Sequence, residues 1–380
     1  MYKTITDFIK HTYNTPPPIN LHEPRFIGNE KKYLAECIDS TFVSYVGAFV
    51  TSFEDSVKAF TGSKYAVAMT NGTLALHLAL RVCGVLPEDE VITQALTFVA
   101  TANAISYIGA HPIFLDSDLD TLGLSPEKLL TFLKNETQKK EDGNTYNKKT
   151  GRRISACVPV HVFGHPARIA DIVRICADYN LVVVEDAAES LGSFYQSQHT
   201  GTFGLASVLS FNGNKTITTG GGGMLLTNDE MIATSAKHLS TTAKIPHPWA
   251  FEHDEIGYNY RMPNLNAAVG CAQMETLDLF LSKKREQAER YATFFAQIGV
   301  DFIVEPKDSR SNYWLNTIML NDRTERDAFL AYSHSQGVMT RPVWRLMSQL
   351  PMYKDALCGD LEQAEHLEAR LVNLPSSVRV

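Results

Sequence analysis

The sequence predicts an α/β fold: a large domain with a mostly parallel sheet flanked by helices, followed by a smaller C-terminal α+β domain. Three observations predict it. From about residue 65 to 240, short β-rich apolar runs alternate with helical patterns, as βαβ units and a sheet covered on both faces require. The chain has 380 residues, more than one small core usually organises, so a large and a smaller domain are expected. Beyond Arg261-Met262-Pro263-Asn264 a long helical pattern, residues 265–297, leads out of the alternating region. The expected division is therefore 1–265 and 266–380.

Taken in order, the expected strands are 65–69, 91–93, 112–115, 154–162 and 181–185, with helices at 74–83, 98–108 and 167–179 between them. The 74–83 helix is apolar all round and stops at Gly84, so it should be buried. Residues 134–153 are polar and lysine-rich with almost no aliphatic side chains, which reads as a solvated surface loop. In the C-terminal part, strands are expected near 302–304 and 314–320.

Hydrophobic residues make up 44% and charged residues 20% of the chain, an ordinary globular profile. The formal charge of −7 offers no basic footprint for nucleic acid or an anionic membrane. An anionic ligand would have to be held by a few placed groups. The six cysteines form no CxxC pair and sit mostly in apolar runs, so reduced thiols are expected, with no metal site. The N-terminus lacks a signal-peptide pattern and no apolar run is long enough to span a bilayer, which leaves a cytoplasmic protein as the expectation.

Three segments carry candidate chemistry. In Ala66-Val67-Ala68-Met69-Thr70-Asn71-Gly72-Thr73-Leu74 a strand turns into a buried helix, whose free N–H groups and dipole suit an anion, with the Thr73 hydroxyl as a further donor. The same junction also occurs simply as a connection. In Val182-Val183-Val184-Glu185-Asp186-Ala187-Ala188-Glu189 an apolar strand ends in acids. A carboxylate there stands where open α/β sheets place ligands and could keep a heteroaromatic nitrogen protonated; a helix cap or a metal-binding acid fits the same residues. In Ser207-Val208-Leu209-Ser210-Phe211-Asn212-Gly213-Asn214-Lys215 a lysine follows a strand among small residues. It is either poised for Schiff-base chemistry or a surface charge. The run Gly220–Gly223 precedes a strand and does not open a helix, so it is no dinucleotide loop; a pliable segment that admits a cofactor is the better account.

In this order, strand–NGT–helix, EDAA and SFNGNK resemble the DegT/StrS-type nucleotide-sugar aminotransferases, fold-type I enzymes that use pyridoxal 5'-phosphate. The likeness extends over nearly the whole chain, including Pro159-Val160-His161-Val162-Phe163-Gly164 and Gly257-Tyr258-Asn259-Tyr260-Arg261-Met262. The resemblance implies that Lys215 is the Schiff-base lysine and that Asp186 pairs with the pyridinium nitrogen. Gly72, Thr73 and Ser210 would hold the phosphate, Phe98 would stack on one face of the cofactor with Ala188 beneath the other, and Glu189 would lie near its phenolic oxygen. Asn259 would reach the cofactor phosphate of a neighbouring subunit, which implies a homodimer with shared sites. Without the family, Phe98 reads equally as core and Asn259 as turn chemistry.

Residues Asn20 to Glu30, the 147–153 insertion and Thr340-Arg341-Pro342-Val343-Trp344 are most similar to the legionaminic acid and bacillosamine-type enzymes. That similarity implies a UDP-linked 2-acetamido-4-keto-2,6-dideoxyhexose as acceptor, L-glutamate as donor with 2-oxoglutarate released, and a role in surface glycan synthesis. The N-terminal segment would then contact substrate through His22, and Arg341 and Trp344 would contact the nucleotide sugar, since an arginine matches a diphosphate and an indole packs on a ring. Each is otherwise an exposed charge or a packing residue. A related sugar dehydratase would carry histidine where Lys215 stands, and a regulatory relative would have no need of Lys215, Asp186, Thr73 and Ser210 together. A nicotinamide-dependent sugar oxidoreductase would need a GxGxxG turn opening a helix, which the sequence lacks.

Overall fold

The computed structural model of the chain describes residues 1–379, and at its centre lies a sheet whose spatial order departs from chain order. From one edge it runs Tyr65–Met69, Gly223–Thr227, Ala206–Ser210, Val182–Asp186, Arg153–Val158, Glu90–Gln94, His111–Leu115 and Leu357–Cys358. Gly223–Thr227 is antiparallel to both neighbours, while the other pairings along this path are parallel. The C-terminal ends of Tyr65–Met69, Ala206–Ser210, Val182–Asp186 and Glu90–Gln94 therefore share one side of the sheet. Open α/β sheets bind their ligands in the crevice beyond that side.

The helix Gly72–Val82 is buried as its all-round apolar sequence requires. Leu76, Leu78 and Leu80 pack in one cluster with Val67, Val208 and Leu225 of three strands, and each such burial stabilises by roughly 1.5–3 kcal/mol. Asn71 caps this helix by accepting from the Leu74 N–H at 2.9 Å.

Three expected elements come out differently. The long helical pattern is two helices, Asn264–Glu275 and Leu277–Ile298, parted at Thr276. The strand expected over 154–162 ends at Val158, because Pro159 has no N–H to continue a ladder. Residues 134–153 are not a plain loop: Thr137–Lys139 and Thr145–Asn147 form a hairpin that pairs with Arg153–Val158. Its buried anchors are polar, and Asn147 Nδ2 donates to Glu90 Oε2 at 2.7 Å. Backbone pairing and polar side chains hold it, with the Thr145 hydroxyl donating to the Tyr179 carbonyl and Lys139 to the Asp178 carbonyl, so no apolar alternation announces it.

A second, antiparallel sheet has the order Asp301–Phe302, Asn316–Met319, Leu371–Leu374, Arg341–Pro342. The N-terminal helix Tyr2–Tyr13 packs here, with Ile5 and Ile9 in one cluster with Tyr291, Phe295, Ile318 and Leu374. Among the described residues no helix is long and apolar enough to cross a membrane, and the six cysteines are free, Cys358 being exposed.

Gly223 is where the first and second strands of the large sheet nearly touch the Asn71 turn. A Cβ added there would lie 2.4 Å from the Asn71 carbonyl carbon and oxygen and 2.7 Å from the Gly72 nitrogen. Gly223→Ala is expected to lower the free energy of urea unfolding by about 1–3 kcal/mol through this overpacking. Gly213→Ala, whose Cβ would meet nothing within 4 Å, should stay within roughly 0.5 kcal/mol of wild type.

Candidate active site

The side of the sheet where the strands end holds a cavity of about 340 Å³, within the range of small-molecule sites. One wall is the N-terminus of Gly72–Val82, where the first-turn N–H groups of Gly72 and Thr73 have no partner inside the helix. Ser210 closes this cup from the next strand but one. A Cβ on Gly72 would lie only 3.0 Å from Ser210 Cβ, so glycine is what lets the turn and the serine meet. Two hydroxyls and two N–H groups at a positive helix end form a donor set suited to a phosphate.

Across the cavity stands Asp186, at the end of Val182–Asp186. Its Oδ2 accepts from the Thr101 hydroxyl at 2.7 Å and its Oδ1 from the Ala188 N–H at 3.2 Å. Thr101 in turn shares a 2.9 Å hydrogen bond with Thr97. The carboxylate is thus fixed before any ligand arrives.

Lys215 follows the strand Ala206–Ser210. Its Nζ lies 3.2 Å from Glu189 Oε1 and 3.9 Å from the centre of the Trp314 ring. Glu189 Oε2 accepts from the Phe163 N–H at 2.8 Å. Burial pushes the Glu189 carboxyl above the usual range, opposed by the neighbouring Lys215 ammonium and the Phe163 N–H. Trp314 Nε1 donates to the Asn214 carbonyl at 2.7 Å, so the indole grips the lysine loop at two points.

Of the residues expected from sequence, Gly72, Thr73, Phe98, Asp186, Ala188, Glu189, Ser210, Lys215 and Trp344 all line this one cavity. Phe98 is 51% exposed on its rim, 6.1 Å from the Trp344 ring; an aromatic face left open beside a polar cup is the stacking surface a flat heteroaromatic needs. Cup, carboxylate, lysine and aromatic face together fit pyridoxal phosphate.

Three expected residues do not line it. Asn259 is exposed, and its Oδ1 accepts from the Arg261 guanidinium at 3.0 and 2.8 Å. Arg341 is exposed on the strand Arg341–Pro342, where its guanidinium contacts the Thr340 carbonyl and His334 at 3.0 Å each. His22 lies a layer behind the wall, its ring 6.5 Å from that of Trp314. The glycine run is absent from the lining: Gly223 meets the Asn71 backbone, so its need for glycine comes from chain-to-chain approach.

Residues not foreseen as site groups include Thr97, Thr101, Asn214 and Trp314, all in the lining. Thr101 lies in the first turn of the helix Val99–Tyr107, and Thr97 precedes its extended N-cap Phe98, so the hydrogen bond between their hydroxyls comes from the turn into the helix. Trp314 carries no local signal, since its place is set by the second sheet.

Residues 24–380 match the DegT/DnrJ/EryC1/StrS aminotransferase family. GDP-perosamine synthase of Escherichia coli O157:H7 is 39% identical over 358 residues, covering 94% of this chain and 93% of that protein. EpsN of Bacillus subtilis (strain 168), assigned provisionally by its name to the pyridoxal phosphate-dependent aminotransferases, is 38% identical over 363 residues, 94% of this chain and 90% of that one. Among solved structures, the aminotransferase TlmJ from Streptoalloteichus hindustanus superposes with a TM-score of 0.85 at 27% identity, covering 94% of this chain and 93% of that one.

Behind the cavity wall lies a buried amine. Lys284, on the helix Leu277–Ile298, is 0% exposed. It donates to the Trp314 and Ser376 carbonyls at 3.1 and 2.9 Å and to His22 Nε2 at 2.8 Å. When Lys284 is an ammonium it has no acceptor, so Nε2 accepts and the His22 proton sits on Nδ1, which is buried with no hydrogen-bond partner among the described residues. Burial pushes Lys284 down to about 7 and, with Lys284 beside it, holds His22 well below the usual histidine range. Between about 7 and the ordinary value of 10.5 the unfolded chain binds more protons than the folded one, so this group makes stability rise with pH. The unfolding free energy of wild type minus that of Lys284→Met is therefore expected to grow from pH 7.5 to 9.5 by up to about 1.4 kcal/mol per pH unit. A difference that is flat across urea titrations in that window would contradict the burial of a titrating amine here.

Proposed function

Because the chain belongs to the DegT/DnrJ/EryC1/StrS aminotransferase family and is accordingly a pyridoxal phosphate-dependent sugar aminotransferase, we propose that it moves the amino group of L-glutamate onto C4 of a nucleotide-linked 4-keto-6-deoxyhexose. The proposed acceptor is a UDP-linked 2-acetamido-4-keto-2,6-dideoxyhexose, as in the legionaminic acid and bacillosamine routes to surface glycans; the name of the E. coli relative makes a GDP-linked 4-keto-6-deoxyhexose its competitor. The observation that carries the reading is the convergence of Lys215, Asp186 and the Gly72–Thr73–Ser210 cup on one cavity.

Pyridoxal phosphate, when bound, supplies the electron sink that makes a hydrogen on the carbon bearing nitrogen removable as a proton. The chain's residues divide the remaining work. The Gly72 and Thr73 N–H groups with the Thr73 and Ser210 hydroxyls hold the phosphate. Asp186, pinned by Thr101 and the Ala188 N–H, keeps the ring nitrogen protonated, while Phe98 and Ala188 flank the ring. Lys215 is the covalent anchor, and once displaced its Nζ takes the proton from Cα of the donor and later delivers one to C4 of the sugar. Glu189 lies 3.2 Å from the resting position of that amine.

The proposed assembly is a homodimer in which Asn259 reaches the phosphate cup of the partner subunit. Its support is the exposure of Asn259 away from its own cavity together with an exposed run at Phe42, Val43, Tyr45 and Val46. Arg261, bonded to Asn259, stacks 3.5 Å from the Tyr45 ring centre, so apolar run and Asn259 adjoin. Exposed apolar patches of this kind mark interfaces.

Wild type reconstituted with the cofactor is expected to absorb near ~420 nm and to bleach toward ~330 nm on adding L-glutamate, with the first band lost in Lys215→Ala. Asp186→Asn should keep the band but turn over roughly 100-fold or more slowly. Absence of the band in wild type would sink the catalytic reading in favour of a non-catalytic relative. Amination of the GDP-linked and not the UDP-linked ketosugar would replace the proposed acceptor.

A further inference from the structure

We propose that Lys284 is a positioning residue that fixes the Trp314 indole against the Lys215 amine; this rests on the assignment of Lys215 as the reacting lysine. Trp314 stands between two lysines and touches them with different parts of itself. Its main-chain carbonyl accepts from Lys284 Nζ at 3.1 Å, while its ring face lies 3.9 Å from Lys215 Nζ and its Nε1 holds the carbonyl of Asn214, the residue before that lysine. A cation over an indole face is attracted by the ring quadrupole, so the position of this ring biases where the lysine amine rests when it is not covalently engaged.

The surroundings show why an amine, and not an apolar side chain, occupies position 284. Its three N–H donors are each used, on His22 Nε2 and on the carbonyls of Trp314 and Ser376, which saturates an ammonium. Among the described residues no carboxylate is in contact with it. A cation buried without a counter-ion is costly, and an apolar residue of the same volume would often be as stable or more so. What the amine adds is direction: it ties three chain segments, at 22, 314 and 376, to one point. The other side of Trp314 is tied as well. Its main-chain N–H donates to Asn312 Oδ1 at 2.8 Å, and Asn312 Nδ2 donates to the Glu189 and Leu191 carbonyls at 2.9 Å each. The indole is thereby fixed relative to both Lys215 and Glu189, whose carboxylate is the other contact of the Lys215 amine. The further titratable groups around this cluster are Asp186 in the cavity, and His22 and Arg25 behind it.

The chain has three tryptophans, so protein grown with 5-fluorotryptophan gives three fluorine resonances, and Trp314→Phe identifies one of them. In Lys284→Met the Trp314 resonance is expected to shift or broaden while that of Trp249, 80% exposed, stays in place. With the cofactor and both substrates, kcat should fall on the order of 10- to 100-fold, as for a misplaced reacting group, with KM for the nucleotide sugar within about threefold. Lys284→Arg, which keeps donors for the carbonyls, should recover part of the loss. Should Lys284→Met fail to fold, Trp314→Leu carries the test: a kcat equal to wild type would overturn the proposal, and a drop larger than that of Trp314→Phe supports it. A folded Lys284→Met with an unmoved Trp314 resonance and wild-type kcat would also overturn it. The fluorine spectra need no cofactor, so they test the link between Lys284 and Trp314 even if Lys215 proves not to react.

Discussion

Met69, Gly223 and Ser210 form a single row across the large sheet, and the site depends on that row. The antiparallel strand Gly223–Thr227 lies between two strands that run the same way, and at Gly223 its backbone comes so near the Asn71 turn that no side chain fits. This close approach sets how far the helix N-terminus at Gly72 stands from Ser210. Two donor groups distant in sequence thereby form one cup. Parallel pairing does the rest, since strands that run together must finish together, which puts Asp186, Ser210 and Asn71 on one side.

Local sequence carried these residues well, for a physical reason. Asp186 and Ser210 end apolar strands, and Gly72, Thr73 and Lys215 follow within five residues of one, so a strand-length run followed by small or polar residues is enough to find them. Phe98 opens a helix and is legible by the same token. Trp314 and Lys284 are different: the first lies two residues before the strand Asn316–Met319 of the other sheet and the second lies inside a charged helix. Only the packing of the two sheets brings them behind Lys215. Thr101 belongs between these cases, because its hydroxyl can be placed on a helix face from spacing while its target, Asp186, is 85 residues away.

Polar structure hid elsewhere too. The hairpin within 134–153 is anchored by Thr145 and Asn147 rather than by apolar residues, and so a lysine-rich composition reads as loop. The charge of Arg341 suits a diphosphate, but charge does not say where a side chain points. In the fold its guanidinium is directed at His334 and the Thr340 carbonyl, three residues before the cavity-lining Trp344 in sequence but outside the cavity lining in space. The strand Arg341–Pro342 ends before Trp344, so a motif that runs off a strand end names more residues than the site can use.

The arrangement of charge around Lys215 follows from this geometry. In front of it stand two carboxylates with unlike partners: Asp186 is satisfied by a hydroxyl and an N–H, whereas Glu189 is left with Lys215 itself and one N–H. Asp186 is therefore committed before a ligand enters, while Glu189 is free to exchange its lysine contact for another. Behind lies a layer, His22 and Lys284, in which burial opposes positive charge. A lysine that must alternate between covalent anchor and proton carrier needs a place to stand in each role. Glu189 and the Trp314 face offer the second of these, and the fixed carboxylate across the cavity bears on the first.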